Sequence, residues 1–228
     1  MNESQTLVKA VRAGLAAGGD ARKAPDMQRY MKSELPFRGV PSPERAALGR
    51  QLFAEHVLTD EADWRASVLT LWREAAYREE RYMAIALTGD RRYAQWQTPA
   101  LLPLYEEMII TGAWWDFVDE IASRRIGPLL RSFPDELTPA MYDWATDPDL
   151  WKRRTSIICQ LTFKEATDTK LLSSAIEANL DDRDFFIRKG IGWALRQFAR
   201  TEPEWVRAFV NSHPGLSPLS VREAVKHL

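Results

Sequence analysis

The chain has 228 residues, 45% of them hydrophobic and 28% charged, with a formal net charge of -1. That length fits one large domain or one short helical solenoid, and the balance is that of a soluble protein with a sizeable core. No apolar run is long enough to span a membrane, and the single Cys159 excludes an internal disulfide and any cysteine-based zinc site.

Along the chain nearly every segment reads as helix. The first twenty residues space their apolar side chains with charges and lack a signal-peptide layout, so the expected location is cytoplasmic. Tyr30 follows in Pro25-Asp-Met-Gln-Arg-Tyr-Met-Lys32, where Met27 and Met31 share its face and the spacing favours a core position. Helix starts are marked by Ser42-Pro43, Asp60, Thr98-Pro99, Thr138-Pro139 and Thr201-Glu202-Pro203, and stops by Gly89, Gly112 and Gly215. Sustained alternation and Asn-Gly turns, the signals of strands and hairpins, are absent. His56, His213 and His227 are scattered with no metal-ligand spacing, so neither metal nor cofactor is expected.

After Gly112, Trp114, Phe117, Val118 and Ile121 make an apolar stripe, with Trp115 and Asp119 adjacent at i and i+4 on its flank. These two are either a core indole beside a solvated acid, or a carboxylate placed beside an indole to stabilise a developing cation. A helix expected from about Leu150 to Thr162 carries Arg154 inside a broad apolar face, where an unpaired charge is costly. Its partner is either an acid such as Asp119 or a phosphate.

The segment from about Asp184 to Arg200 places Ile187, Ile191, Ala194, Leu195 and Phe198 on one stripe. Lys189, Trp193, Arg196 and Arg200 gather opposite. That face is either solvated, with Trp193 packed on a neighbour, or an aromatic platform within a phosphate-binding surface. The charge is uneven. Leu150–Arg200 holds ten Lys/Arg against six Asp/Glu, whereas Leu104–Asp149 holds three against ten, so a phosphate-binding face would be local to the later helices.

Asp119, Arg154 and Lys189 stand 35 residues apart, and Asp147-Pro-Asp-Leu-Trp-Lys-Arg-Arg echoes Asp182-Arg-Asp-Phe-Phe-Ile-Arg-Lys. A period of this length suggests stacked helix pairs. The expected fold is therefore all-α, an α-solenoid of HEAT-like repeats forming one domain over residues 1–228.

Several of these segments together resemble the AlkD family of DNA alkylation repair proteins. The resemblance rests on Arg29-Tyr-Met-Lys32, Gly39-Val-Pro-Ser-Pro-Glu-Arg45 and Thr111-Gly-Ala-Trp-Trp-Asp-Phe-Val-Asp119. It continues in Trp151-Lys-Arg-Arg154, Phe185-Phe-Ile-Arg-Lys-Gly-Ile-Gly-Trp-Ala-Leu-Arg196 and Pro218-Leu-Ser-Val-Arg-Glu-Ala-Val-Lys226, and so spans almost the whole chain. It implies a monofunctional glycosylase that excises N3- and N7-alkylated purines, acting as a monomer on double-stranded DNA without inserting the base into a tight pocket. It further implies that Asp119 is the catalytic carboxylate and that Trp115, Trp193 and Tyr30 line the damaged nucleotide. Arg154, with Lys189 and Arg196, would bind the DNA backbone. Three features depart from the family pattern: the extra basic pair Lys152-Arg153, Gly190 inside a helix, and the acidic block before them. Two other readings remain open on sequence, a non-catalytic DNA-binding relative and a helical scaffold for a protein partner. DNA binding should weaken steeply with salt, and a protein interface much less.

Overall fold

Local sequence signals account for most helix boundaries. The computed structural model describes residues 2–228, His227 through its backbone alone, and contains fourteen α-helices and no strand among the described residues. The helices gather into two compact units, one reaching to Trp96 and one covering Gln97–Leu228.

The first unit holds α1 (Glu3–Ala17), α2 (Ala24–Met31), α3 (Ser42–Glu55), α4 (Glu61–Arg73) and α5 (Arg78–Thr88). A capping box between Asn2 and Gln5 starts α1, and Asp60 caps α4 by accepting from the Ala62 N–H. Helix α1 packs on α4, and Leu7, Val11 and Leu15 of the first and Trp64, Val68 and Leu71 of the second are all fully buried. Between α2 and α3 the chain runs extended through Gly39, whose φ of 85° suits glycine. The buried Glu79 carboxylate pins this run by accepting from the backbone N–H groups of Arg38, Gly39 and Val40 at 2.9–3.2 Å. Tyr30 departs from the sequence expectation. It is 77% exposed, and Met31, not Tyr30, supplies the buried face of α2. On a helix this short, the choice between neighbouring faces depends on tertiary packing that spacing does not encode.

The second unit holds α6 (Leu102–Gly112), α7 (Trp115–Ile121), α8 (Gly127–Ser132), α9 (Pro134–Ala145), α10 (Leu150–Ile158), α11 (Thr169–Glu177), α12 (Phe185–Phe198), α13 (Pro203–Ser212) and α14 (Pro218–Ala224). A π-helical stretch, Ala122–Ile126, joins α7 to α8. Two boundaries differ from the sequence reading. Helix α9 starts at Pro134, not near Thr138, and carries Pro139 in its interior. At this sixth position, past the first turn, proline supplies no N–H to the Asp135 carbonyl. Helix α10 stops at Ile158, short of Thr162, as the chain turns into the loop that Gln160 holds through hydrogen bonds with Asp168.

The internal period is physically real. The N-caps of α7, α10 and α12 are Trp114, Asp149 and Asp184, spaced by 35 residues. In the second and third of these repeats the same turn recurs. Asp147 accepts from the Asp149 N–H at 2.8 Å, and Asp182 accepts from the Asp184 N–H at 2.7 Å. Asp149 and Asp184 then each cap two N–H groups of the following helix. Arg153 ties one repeat to the next through Asp182 at 2.9 Å. Helix α10 packs on α9 and α12, and α12 packs on α14, so successive helices stack as in HEAT-like repeats. The stripe of α12 forms the core of this stack, with Ile187, Ile191, Ala194, Leu195 and Phe198 all buried.

Candidate active site

Asp119, Arg154 and Lys189 occupy the same place on three successive repeat helices, five residues after each N-cap. The fold uses the first two as a pair. Arg154 donates from Nε to Asp119 Oδ1 at 2.7 Å and from Nη2 to Oδ2 at 2.8 Å, a bidentate contact. Its Nη1 donates to the Phe186 carbonyl on α12. The Arg154 side chain is 4% exposed and that of Asp119 is 16% exposed, so the guanidinium lies beneath the carboxylate and the carboxylate keeps an open edge. Of the two partners that the sequence left open for Arg154, the fold supplies the acid.

Burial pushes the Asp119 carboxyl above the ordinary aspartate range; the hydrogen bonds and charge of Arg154 pull against this, and nearby Asp116 adds to the rise. The backbone beneath Asp119 is also fixed. Ser123, in the π-helical stretch, donates its hydroxyl to the Asp119 carbonyl at 2.6 Å. Such π-helical insertions are frequent at functional sites.

The open edge of Asp119 faces a cleft of about 390 Å³ lined by Trp115, Asp119, Trp193, Ser123, Arg124 and Gln197, among others. Trp115 and Trp193 are each half-buried. Trp193 packs against the buried core of this unit and also lines the cleft. Three residues singled out on sequence, from helices far apart in the chain, therefore share one cavity. Behind it Trp114, Trp151 and Phe186 form an aromatic cluster with ring centroids 5.1–6.4 Å apart.

Lys189 and Arg196 do not line that cleft. Both bind Glu223 of α14, at 2.8 and 2.5 Å, and Lys226 joins them at 2.7 Å. Lys189 and Lys226 hold the Glu223 carboxyl down to about 2. Lys152 is likewise taken by Glu106 and Asp147, and Arg153 by Asp182. At least five of the region's ten cations, Lys152, Arg153, Arg154, Lys189 and Arg196, are thus held by acids of other elements. Tyr30 belongs to the first unit, where its ring is open to solvent.

Sequence reasoning missed Ser123, Gln197 and Glu223, which carry no local signal. Gly190 did carry one. A glycine in a helix interior costs about 0.5–1 kcal/mol relative to alanine, so its presence calls for a packing reason.

The chain matches the family model described as DNA alkylation repair enzyme over residues 11–228. It belongs to that family. A solved structure described as a predicted DNA alkylation repair enzyme from Enterococcus faecalis is 32% identical, with a TM-score of 0.82. The match covers 92% of this chain and 96% of that one. No curated protein sequence matches the chain. Family membership places the protein in DNA alkylation repair and agrees with an all-α fold of HEAT-like repeats. Among the described residues of this DNA alkylation repair enzyme, no group of three or more His, Cys, Asp or Glu side chains could hold a metal ion. Among the described residues no helix is long and apolar enough to cross a membrane.

Proposed function

We propose that this enzyme is a monofunctional DNA glycosylase that releases N3- and N7-alkylated purines from double-stranded DNA. The observation that carries the reading is the Asp119 carboxylate, held on both oxygens by a buried arginine and opening into a cleft shared with Trp115 and Trp193.

Alkylation at N3 or N7 leaves a positive charge on the purine. When the glycosidic bond breaks, its electron pair neutralises that charge, so the base departs without a general acid. The positive charge moves to the sugar, which becomes oxocarbenium-like at C1′. A fixed carboxylate beside C1′ stabilises that cation and orients the water that attacks it, and the water's proton passes to the carboxylate or to solvent. Asp119 fills this role because Arg154 has already fixed its orientation, so little reorganisation is needed when the charge develops. Indole faces attract the cationic nucleotide by on the order of 0.5–2 kcal/mol each, the role of Trp115 and Trp193. No lysine nucleophile takes part, so the product is an abasic site in an uncut strand.

Tyr30, Lys189, Arg196 and Arg154 are the proposed contacts to the DNA. Arg154 spends three of its five N–H groups inside the protein and its side chain is 4% exposed, so a phosphate contact through the remaining two would require the side chain to open toward solvent. The enzyme would act as a monomer. Incubation with duplex DNA carrying 7-methylguanine tests the reading: free 7-methylguanine and an intact abasic strand are expected. Tight, salt-sensitive binding with no base release would make the protein a non-catalytic DNA binder instead.

A further inference from the structure

Gly190 sits on α12 directly against the guanidinium of Arg154. A Cβ at this position would stand 3.1 Å from Arg154 Nη1, tighter than ordinary van der Waals contact, and 3.6 Å from Ile158 Cγ2. The end of an arginine side chain commonly swings aside to relieve such a clash. Here it is not free to move, because Nε and Nη2 are held by Asp119 and Nη1 by the Phe186 carbonyl. The guanidinium is planar, so a push on Nη1 tilts the edge that faces the carboxylate. Gly190 itself is buried in the middle of its helix and has no positive φ that would call for glycine.

We infer that Gly190 is a positioning residue: its missing side chain leaves the space in which Arg154 lies flat against Asp119 and aims the carboxylate into the cleft. Gly192, two residues on, has a different task. A Cβ there would meet Glu223 Cβ at 2.5 Å and the Ser220 carbonyl at 2.9 Å, so it permits the close approach of α14. One glycine therefore serves helix packing and the other serves the carboxylate.

The inference rests on the reading of Asp119 as the carboxylate of the reaction, and its test needs a measurement that does not depend on that reading. Asp119 shares its surroundings with Arg154 on α10, with Asp116, Glu120 and Arg124 around the cleft, and with the uncharged Trp193 and Gln197 on α12. Of these, only the Arg154 contact should change in Gly190→Ala. The titration of the Asp119 side-chain carboxyl, followed by carbon NMR, should shift to higher pH in Gly190→Ala, because the two hydrogen bonds to the charged form weaken. In an Arg154→Ala background the same substitution should shift nothing further. Excision of 7-methylguanine by Gly190→Ala should fall about tenfold, mostly in kcat, since a displacement of a few tenths of an ångström is a fraction of the 1 Å that costs about a hundredfold. The melting temperature near neutral pH should change little, because the better helix propensity of alanine is set against the stability lost as the hydrogen bonds to the charged carboxylate weaken.

An unchanged Asp119 titration in Gly190→Ala, or the same shift with and without Arg154, overturns the inference. A titration that shifts as expected in an enzyme that releases no alkylated base from any duplex would leave the positioning relation standing and reject the glycosylase reading alone.

Discussion

Arg154 and Asp119 are 35 residues apart in sequence and joined by two hydrogen bonds of 2.7 and 2.8 Å, one repeat helix gripping the equivalent position of the one before it. The pair is set by the repeat itself. A pitch of 35 residues brings the same helical position into register on α7 and α10, and opposite charges at that position meet.

Asp119→Asn should lower excision by roughly 10²–10³, the scale of losing one well-placed electrostatic group. DNA affinity should hold or rise slightly, because a negative charge near phosphates is gone. A folded variant that excises at the wild-type rate would reduce Asp119 to a structural partner of Arg154.

The same carboxyl predicts the acid side of the pH profile. Burial raises its pKa, so Asp119 takes up a proton at a higher pH than an ordinary aspartate does. Excision should decline in mild acid as the charged form is lost, and the residual activity of Asp119→Asn should lack this limb. Unfolding does not explain such a decline. A carboxyl whose pKa is raised on folding contributes most to stability in acid, and that contribution is lost as pH rises through the folded value. Activity should fall while a thermal melt over the same range stays level or rises. An acid limb at the ordinary aspartate position would mean that burial is offset by the arginine.

Arg154→Ala leaves a mostly buried carboxylate without its partner. Breaking a buried pair from one side costs on the order of 3–5 kcal/mol. The variant should melt well below wild type and show an acid limb displaced further upward. If Arg154 also reaches a phosphate, the salt dependence of DNA binding should flatten by about one contact. Wild-type stability would contradict the buried pair.

Much of this arrangement was legible in the sequence. The stripe of α12 follows helical spacing because a helix buried on one side has no other way to hide its apolar residues, and all five of its members are buried. Trp115 and Asp119 were legible as neighbours because they lie one turn apart. Tyr30 was not, because which face of the eight-residue α2 meets the rest of the unit depends on tertiary packing. The start of α9 did carry a local signal, Pro134 followed by Asp135 and Glu136 in the first turn, which the later Thr138-Pro139 obscured. The charge count showed ten cations in one stretch but not how they pair: Lys152 with Glu106 and Asp147, Arg153 with Asp182, and Lys189 and Arg196 with Glu223, partners that a tally along the chain does not assign.

Trp193→Ala should reduce excision by about tenfold or more with a smaller loss of stability, because the indole is half-buried and only its inner edge meets the core. Activity per folded molecule and the melting temperature should be read together. A collapse of the melt with intact activity in the remaining folded protein would assign Trp193 to the core alone.

Glu223→Gln decides whether Lys189 and Arg196 serve DNA or packing. Glu223 is 4% exposed and holds Lys189, Arg196 and Lys226 at 2.5–2.8 Å. Its pKa is lowered to about 2, so its contribution to stability is present above the ordinary glutamate range and is lost as pH falls through about 2. The variant should therefore melt below wild type near neutral pH, and the difference should close in strong acid. Its effect on DNA is expected to run the other way. Once released, the three cations can turn toward phosphates, each new contact adding about 0.9 to the slope of log affinity against log salt. Tighter binding with a slope steeper by about 1–2 would show that Lys189 and Arg196 lie within reach of the duplex and that Glu223 restrains them. Unchanged affinity and slope, with the stability loss intact, would mean that this charge cluster only fastens α14 to α12 and that the phosphate contacts lie elsewhere.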